Sequence, residues 1–330
     1  MKKLLGLILV IAMVLSMGLS ATAEEGLKVA VVLSGATGDR SFYDSANEGL
    51  QALVASDLGI QGTLIECKND ASMFTTNLIA AAEDNDIVIA VGWEFWDALT
   101  EYAPQLPDTK FIFIDNGLDG VGDNLMSITY AQNEGSFLVG YIAGTLTQTG
   151  KIGAVGGEDS ETINDFIVGY QAGAEYARED CTVQVQYAGT YDDPAKGKEL
   201  ALALYDAGCD IVFQVASRTG EGVFEAAAER GLYAIGVDSD QKYINPDVIL
   251  CSMIKQVNLS IEQAVTAYAT EGTWMGGQIW VADMATGLID VGYGDDTMTQ
   301  QVSDELKAEV EEIKAQIIAG EIEVPTAFVG

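Results

Sequence analysis

Histidine is absent from the 330 residues, and cysteine (4), proline (5) and basic residues (16) are scarce. Each gap excludes something. Without histidine there is no Ser-His-Asp or Cys-His arrangement, no imidazole-ligated zinc and no imidazole base poised near neutral pH. Cys67, Cys181, Cys209 and Cys251 are too far apart for C-x-x-C metal or redox spacing. Cys67, Cys209 and Cys251 sit in or beside apolar, strand-like runs, so buried free thiols are expected rather than disulfides. The 16 basic residues face 50 acidic ones, for a net charge of −34. Such a surface repels phosphate backbones and anionic lipid, which argues against DNA or RNA as a partner. Solubility or a saline medium otherwise accounts for the acidity. No G-x-x-x-x-G-K-[ST] pattern and no G-x-G-x-x-G follows a strand-like run; Gly35-Ala36-Thr37-Gly38 has too few glycines.

Long apolar runs are confined to the start of the chain. Residues 1–23, MKKLLGLILVIAMVLSMGLSATA, combine Lys2 and Lys3 with an apolar stretch and the small-x-small end Ala21-Thr22-Ala23. This is the pattern of a signal peptide, with an uncleaved membrane anchor as the alternative. No cysteine lies near the cleavage point, so no lipid anchor is expected there. The reading is an exported, soluble protein, extracellular or held within the cell envelope.

What the chain has in quantity is alternation. Strand-like runs at 28–34, 63–67, 87–92, 110–115 and 126–130 are followed by a second series at 151–156, 182–187, 211–216, 233–237 and 248–254. Helical spacing separates most of them, at 44–55, 74–84, 95–103, 133–148, 165–178, 195–207 and 220–230. This order predicts α/β structure with parallel sheets covered by helices. The second series also resembles the first. KVAVVLSG (28–35) matches KIGAVGGE (151–158), an offset of 151 − 28 = 123, and DIVIAV (86–91) matches DIVFQV (210–215), an offset of 210 − 86 = 124. Asp115 pairs with Asp238, again 238 − 115 = 123. The constant offset predicts two similar lobes in tandem.

Open parallel sheets bind ligands beyond the carboxyl ends of their strands. In the first lobe those positions hold the turn Asp39–Asp44, with Ser41 and Phe42 inside it, then Trp93–Trp96 and Asp115. In the second they hold Asp159–Phe166, Ser217–Gly220 and Asp238, with Lys255 after the last strand. Phe42, Trp93 and Phe166 suit stacking on a flat ring, although each alone is equally well explained as a core-capping aromatic. Asp115 and Asp238 suit vicinal hydroxyls or ring N–H groups; helix capping explains Asp70 and Asp193 better than it explains these two. Lys255 either orients a ligand hydroxyl or is a solvated surface lysine. No activated nucleophile is visible, so an enzyme is not expected, nor is any cofactor or metal. Acidic turns repel phosphate. The ligand that fits is neutral or cationic, with a flat ring and several donors: a nucleoside rather than a nucleotide.

These motifs resemble the basic membrane protein family, the purine-nucleoside-receptor-like substrate-binding proteins of ABC transporters. The resemblance covers essentially all the chain after the leader. It rests on Gly38-Asp39-Arg40-Ser41-Phe42 with Asp44-Ser45-Ala46, on Glu134-Gly135-Ser136-Phe137-Leu138, and on Asp193-Pro194-Ala195-Lys196-Gly197. Gly236-Val237-Asp238-Ser239-Asp240-Gln241, Ser252-Met253-Ile254-Lys255 and Gly320-Glu321-Ile322-Glu323-Val324-Pro325 complete it. It implies a type I periplasmic-binding-protein fold, with two Rossmann-like lobes joined by a three-segment hinge. The lobes would comprise 24–130 plus 256–284 and 131–255 plus 285–330. It implies a monomer that hands a nucleoside to an ABC permease and its ATPase. Phe42 and an aromatic of the other lobe would sandwich the base, Asp115 would bind its edge, and Asp238 and Lys255 would hold the ribose, with Gly220 backbone close by. Tyr43 stands where the family has Asn, and Ala216-Ser217-Arg218 replaces a glycine-rich run; Arg218 there could close part of the pocket or reach an oxygen acceptor. A sensory receptor of the same fold and a carboxylate-based nucleoside hydrolase are the alternative readings.

Overall fold

The computed structural model describes residues 26–328, so the leader read at 1–23 lies outside the described residues. The first sheet is built from β1 (Lys28–Leu33), β2 (Gln61–Glu66), β3 (Ile87–Val91), β4 (Lys110–Ile114) and β5 (Leu125–Tyr130). The second is built from β6 (Lys151–Gly156), β7 (Thr182–Tyr187), β8 (Ile211–Val215), β9 (Tyr233–Asp238) and β10 (Ile249–Lys255). Each gains a sixth, short strand: β11 (Ile279–Ala282) beside β5 and β12 (Ile289–Gly292) beside β10. The orders are β11-β5-β4-β3-β1-β2 and β12-β10-β9-β8-β6-β7, the same pattern twice. All pairings run parallel except β10 with β12. β3 (IVIAV) and β8 (IVFQV) are buried at every residue, as strands covered on both faces must be.

The two short strands carry the chain's last passage between sheets. The chain leaves the first sheet after Tyr130, returns after Lys255, and passes over again between Ala282 and Ile289. Both strands were missed by the sequence reading, because four residues carry too little periodicity to be seen.

Helices cover each sheet. Helix α1 (Phe42–Ala55) buries Tyr43, Ala46, Leu50 and Leu53, an i, i+3, i+7 stripe. Helices α4 (Gln132–Leu146) and α5 (Glu161–Ala177) in the second lobe lie in backbone contact. A Cβ at Gly173 would fall 1.9 Å from the Phe137 carbonyl oxygen, and one at Gly169 would fall 2.1 Å from that of Asn133. Glycine here sets how closely the two helices approach. Cys67, Cys181, Cys209 and Cys251 are all free thiols; the first, third and fourth are buried. Asp70 and Asp193 cap the helices at Ala71–Asp84 and Pro194–Asp206, accepting from the N–H groups of Ser72 and Lys196.

Candidate functional site: an interlobe cleft

The carboxyl ends of the two sheets face one another across a cavity enclosing about 560 Å³ of atom-free space, counting its solvent-open mouth. Its walls come from both lobes. Gly92, Trp93 and Glu94 follow β3, Asp115 follows β4, and Phe42 and Tyr43 open α1. Phe166, Thr162 and Ile163 belong to α5, Ala216 and Ser217 follow β8, and Asp238 and Lys255 end β9 and β10. Its size falls within the range of small-molecule sites.

The repeat in the sequence reappears as a repeat in backbone conformation. Asp115 has φ of +81° and Asp238 of +63°. Gly92 at +118° directly follows β3, and Ser217 at +49° lies two residues beyond β8. Left-handed backbone in non-glycine residues costs energy and gathers at functional sites. Here it gathers at the strand ends that open onto the cleft, where Gly92, Asp115, Ser217 and Asp238 all line the cavity.

Lys255 is 2% exposed, which removes the surface-lysine reading. Its Nζ lies 2.5 Å from Asp115 Oδ1, a pair between the two lobes. Three aromatic rings surround the same ammonium: Phe42 at 4.9 Å, Tyr130 at 5.0 Å and Phe166 at 5.1 Å to centroid. Such contacts stabilise a desolvated cation. Phe42 and Phe166 thus approach one point from opposite lobes. Tyr130, at the end of β5, donates to or accepts from Ser260 Oγ at 2.6 Å, beside the point where the chain returns to the first lobe.

The remaining carboxyl groups are arranged around this centre. Asp238 accepts the Ser41 hydroxyl at 2.5 Å across the cleft. Burial pushes its pKa up to about 6, against the pull of Lys255 and Ser41. Glu94 is pushed up to about 7, first by burial; its own backbone N–H and the nearby Ser34 hydroxyl oppose the shift, and Asp115 and Glu158 add to it. Tyr43, where the resemblance led one to look for asparagine, is 6% exposed, lines the cavity and shares a hydrogen bond of 3.0 Å with Ser34.

Of the residues expected from sequence, the cavity brings together Phe42, Trp93, Asp115, Phe166, Ser217, Asp238 and Lys255. Four others stand behind its wall. Asp39, with burial raising its pKa, spends its carboxylate on the N–H groups of Ser41, Tyr43 and Asp44 and on the Ser217 hydroxyl. Ser41 is fully buried and bonded to Asp238. Asp44 caps its own turn, accepting from Gly38 and Arg40 N–H at 2.7 and 2.8 Å. Gly220 lies under Gln214, whose Oε1 would be 1.8 Å from a Cβ there. The acidic turn 38–44 therefore serves first to build a loop that latches onto the other lobe. Gln241 Nε2 donates to Arg40 O at 3.0 Å in the same seam. Arg218 turns outward to Asp192 at 2.8 Å and does not line the cavity. Glu94, Thr162 and Ile163, which fall in the segments Trp93–Trp96 and Asp159–Phe166 expected at the cleft but were not singled out, also line the cavity, and Tyr191 lines it unforeseen. Glu94 had a signal, its place in the turn Trp93–Phe95 that follows β3; Tyr191 had none, since it lies in an irregular loop.

Among the described residues there is no cluster of three or more metal-ligating side chains and no helix long and apolar enough to cross a membrane.

Comparison with known proteins agrees with this arrangement. The family model for PnrA-like ABC transporter substrate-binding proteins matches residues 27–327. Basic membrane protein A of Borreliella burgdorferi is 32% identical, over 99% of this chain and 96% of its own. The ABC transporter nucleoside-binding protein BmpA of Lactococcus lactis subsp. cremoris is 33% identical, over 94% and 92%. An ABC transporter solute-binding protein of Aeropyrum pernix K1 superposes with a TM-score of 0.80 at 26% identity, over 91% of this chain and 94% of its own. The myo-inositol binding protein of Caulobacter shares the fold, with a TM-score of 0.64 at 14% identity and 89% and 100% coverage. The fold is thus that of type I periplasmic solute-binding proteins, and the chain belongs to the family of PnrA-like ABC transporter substrate-binding proteins.

Proposed function

We propose that this substrate-binding protein is exported, captures a nucleoside, of purine type, in the interlobe cleft, and delivers it to an ABC permease. The observation behind this reading is the convergence of Phe42 and Phe166 from opposite lobes beside the Lys255–Asp115 pair. A flat base has two aromatic faces there, and its sugar and ring edges have carboxylates to donate to. The lobes are 24–130 plus 256–284 and 131–255 plus 285–330, and they close about the three connecting segments. Phe42, Trp93 and Phe166 contact the base, Asp115 its edge, and Asp238 and Lys255 the ribose. Asp39, Ser41, Asp44, Ser217 and Gly220 shape and close the site from behind. The surplus of carboxylates over the lone cavity ammonium disfavours phosphate, so nucleosides are preferred to nucleotides. The name of the Lactococcus relative points the same way.

A thermal-shift panel tests this. Inosine, guanosine, adenosine, cytidine and uridine are compared with free ribose, free bases and the matching nucleotides. A ligand at about 100 times its Kd stabilises the protein by about 2.7 kcal/mol, a clear rise in Tm. Purine nucleosides are expected to raise Tm while ribose and nucleotides do not. Intact nucleoside recovered after long incubation separates binding from hydrolysis.

A further inference from the structure

Glu94 lines the cavity with a carboxyl group of which one oxygen, Oε2, has no hydrogen-bond partner of good geometry among the described residues. It sits in the single turn Trp93–Phe95 that follows β3. Gly92 turns the backbone there, and a Cβ on it would meet Ser34 Oγ at 2.3 Å and Glu94 Oε2 at 2.5 Å, so the carboxyl is tucked back against the floor of the cleft. Oε2 is enclosed and accepts no hydrogen bond. The nearby ammonium does not serve it, because Lys255 is paired with Asp115. Buried polar oxygens are almost always satisfied, and leaving one unsatisfied is costly. Since Glu94 lines the ligand cavity, a ligand donor is a partner that this carboxyl can take up when the site is filled.

We propose that Glu94 is a further ligand-contacting residue that accepts a hydrogen bond from the base edge. Together with Asp115 it selects bases carrying two adjacent donors. The N1–H and 2-amino group of guanosine provide such a pair; inosine lacks the amino group. Asp115 uses Oδ1 for Lys255, and its other oxygen is uncommitted among the described residues. The inference rests on the nucleoside reading above. Two acceptors meeting two donors discriminate strongly, because the ligand lacking one donor leaves a buried acceptor bare.

The surroundings add a second signature. Glu94 is faced by Tyr43 from α1, Cys67 beyond β2, Asp115, Glu158 beyond β6 and Tyr191 beyond β7, none of them cationic at neutral pH. Near pH 7 its carboxyl is therefore protonated in part of the unliganded molecules. A ligand that donates to it favours the ionised form, so binding releases protons.

Calorimetric titration of guanosine and inosine into the full-length mature protein and into the Glu94→Gln variant tests the inference. Both are run at pH 7 in buffers of different ionisation enthalpy. In the wild type, guanosine is expected to bind about tenfold or more tighter than inosine, the scale of one hydrogen bond to a charged acceptor. Its apparent enthalpy is expected to vary with the buffer, as proton release requires. In Glu94→Gln the preference shrinks to about threefold or less and the buffer dependence disappears, the loss of a charged acceptor leaving an amide. Glu94→Ala serves as the second variant and is expected to behave alike. If nucleosides bind but the preference and the proton release are the same in the variants, the Glu94 inference fails and the nucleoside reading stands. If no nucleoside binds the wild type, both fail together.

Discussion

Lys255 Nζ and Asp115 Oδ1 lie 2.5 Å apart, one residue ending β10 of the second sheet and the other directly following β4 of the first. One ion pair therefore spans the cleft, with the rings of Phe42, Tyr130 and Phe166 around its ammonium. The Asp115 side chain is 12% exposed and that of Lys255 2%, so neither charge is well hydrated. Removing one partner leaves the other buried and unpaired. Asp115→Asn is expected to cost up to about 3–5 kcal/mol, and the double variant Asp115→Asn/Lys255→Met to recover much of it. Urea denaturation of the four proteins in the cycle measures this; additive losses would show that the pair does not act as a unit.

Stacking predicts a different pattern for the two phenylalanines. Each is expected to contribute roughly 1–3 kcal/mol to nucleoside binding. Phe166 is also 2% exposed and part of the second lobe's core, whereas Phe42 is only half-buried and packs at the core's edge. Phe166→Ala should therefore lower both affinity and Tm, and Phe42→Ala chiefly affinity. Equal losses of Tm in the two variants would contradict the assignment of Phe42 to the ligand.

The cleft carboxyls make the empty protein less stable as pH rises. Asp238 titrates near 6 in the folded chain against 3.8 for an ordinary aspartate. Between those values the folded state holds a proton that the unfolded state has lost. Stability is therefore highest below about pH 4 from this group, falls as pH climbs to 6, and stays reduced above it, by up to about 3 kcal/mol at 1.36 kcal/mol per unit. Asp238→Asn is expected to flatten the fall between pH 4.5 and 7 in denaturant titrations of ligand-free protein. Parallel wild-type and variant profiles would remove Asp238 as the cause.

The succession of ten long strands, the two lobes and most of the cavity wall were legible in the sequence because the apolar runs are long and an offset of 123–124 residues repeats them. Asp115 and Asp238 were found through that offset, and their shared left-handed backbone explains why the match persists. The short strands Ile279–Ala282 and Ile289–Gly292 were not legible, since only the edges of the first and second sheet, respectively, give them partners. The acidic turn misled in part. Sequence shows Asp39 and Asp44 beside Phe42 but not that the backbone N–H groups of the same turn claim both carboxylates. Glu94 lay in the expected segment Trp93–Trp96 but was not singled out, because the lack of a partner for its Oε2 exists only in three dimensions.

The seam behind the cavity yields a kinetic prediction. Ser217 Oγ donates to Asp39 at 2.8 Å across the lobes, from a residue held at φ of +49°. Ser217→Gly removes the hydroxyl while relieving the backbone. It is expected to lower stability by no more than about 3 kcal/mol, the scale of a hydrogen bond to a charged acceptor, offset in part by the relieved backbone. Ligand release, followed by stopped-flow fluorescence, should become several-fold faster as closure weakens. An unchanged release rate would exclude this contact from closure.

The central claim, that a nucleoside is held between Phe42 and Phe166, is tested most directly by calorimetric titration of a purine nucleoside and its 5′-monophosphate into the mature protein. The account predicts one nucleoside bound per chain, a negative heat-capacity change from burial of the stacked base, and no measurable binding of the monophosphate. Tighter binding of the monophosphate, or no heat with any nucleoside, would contradict it.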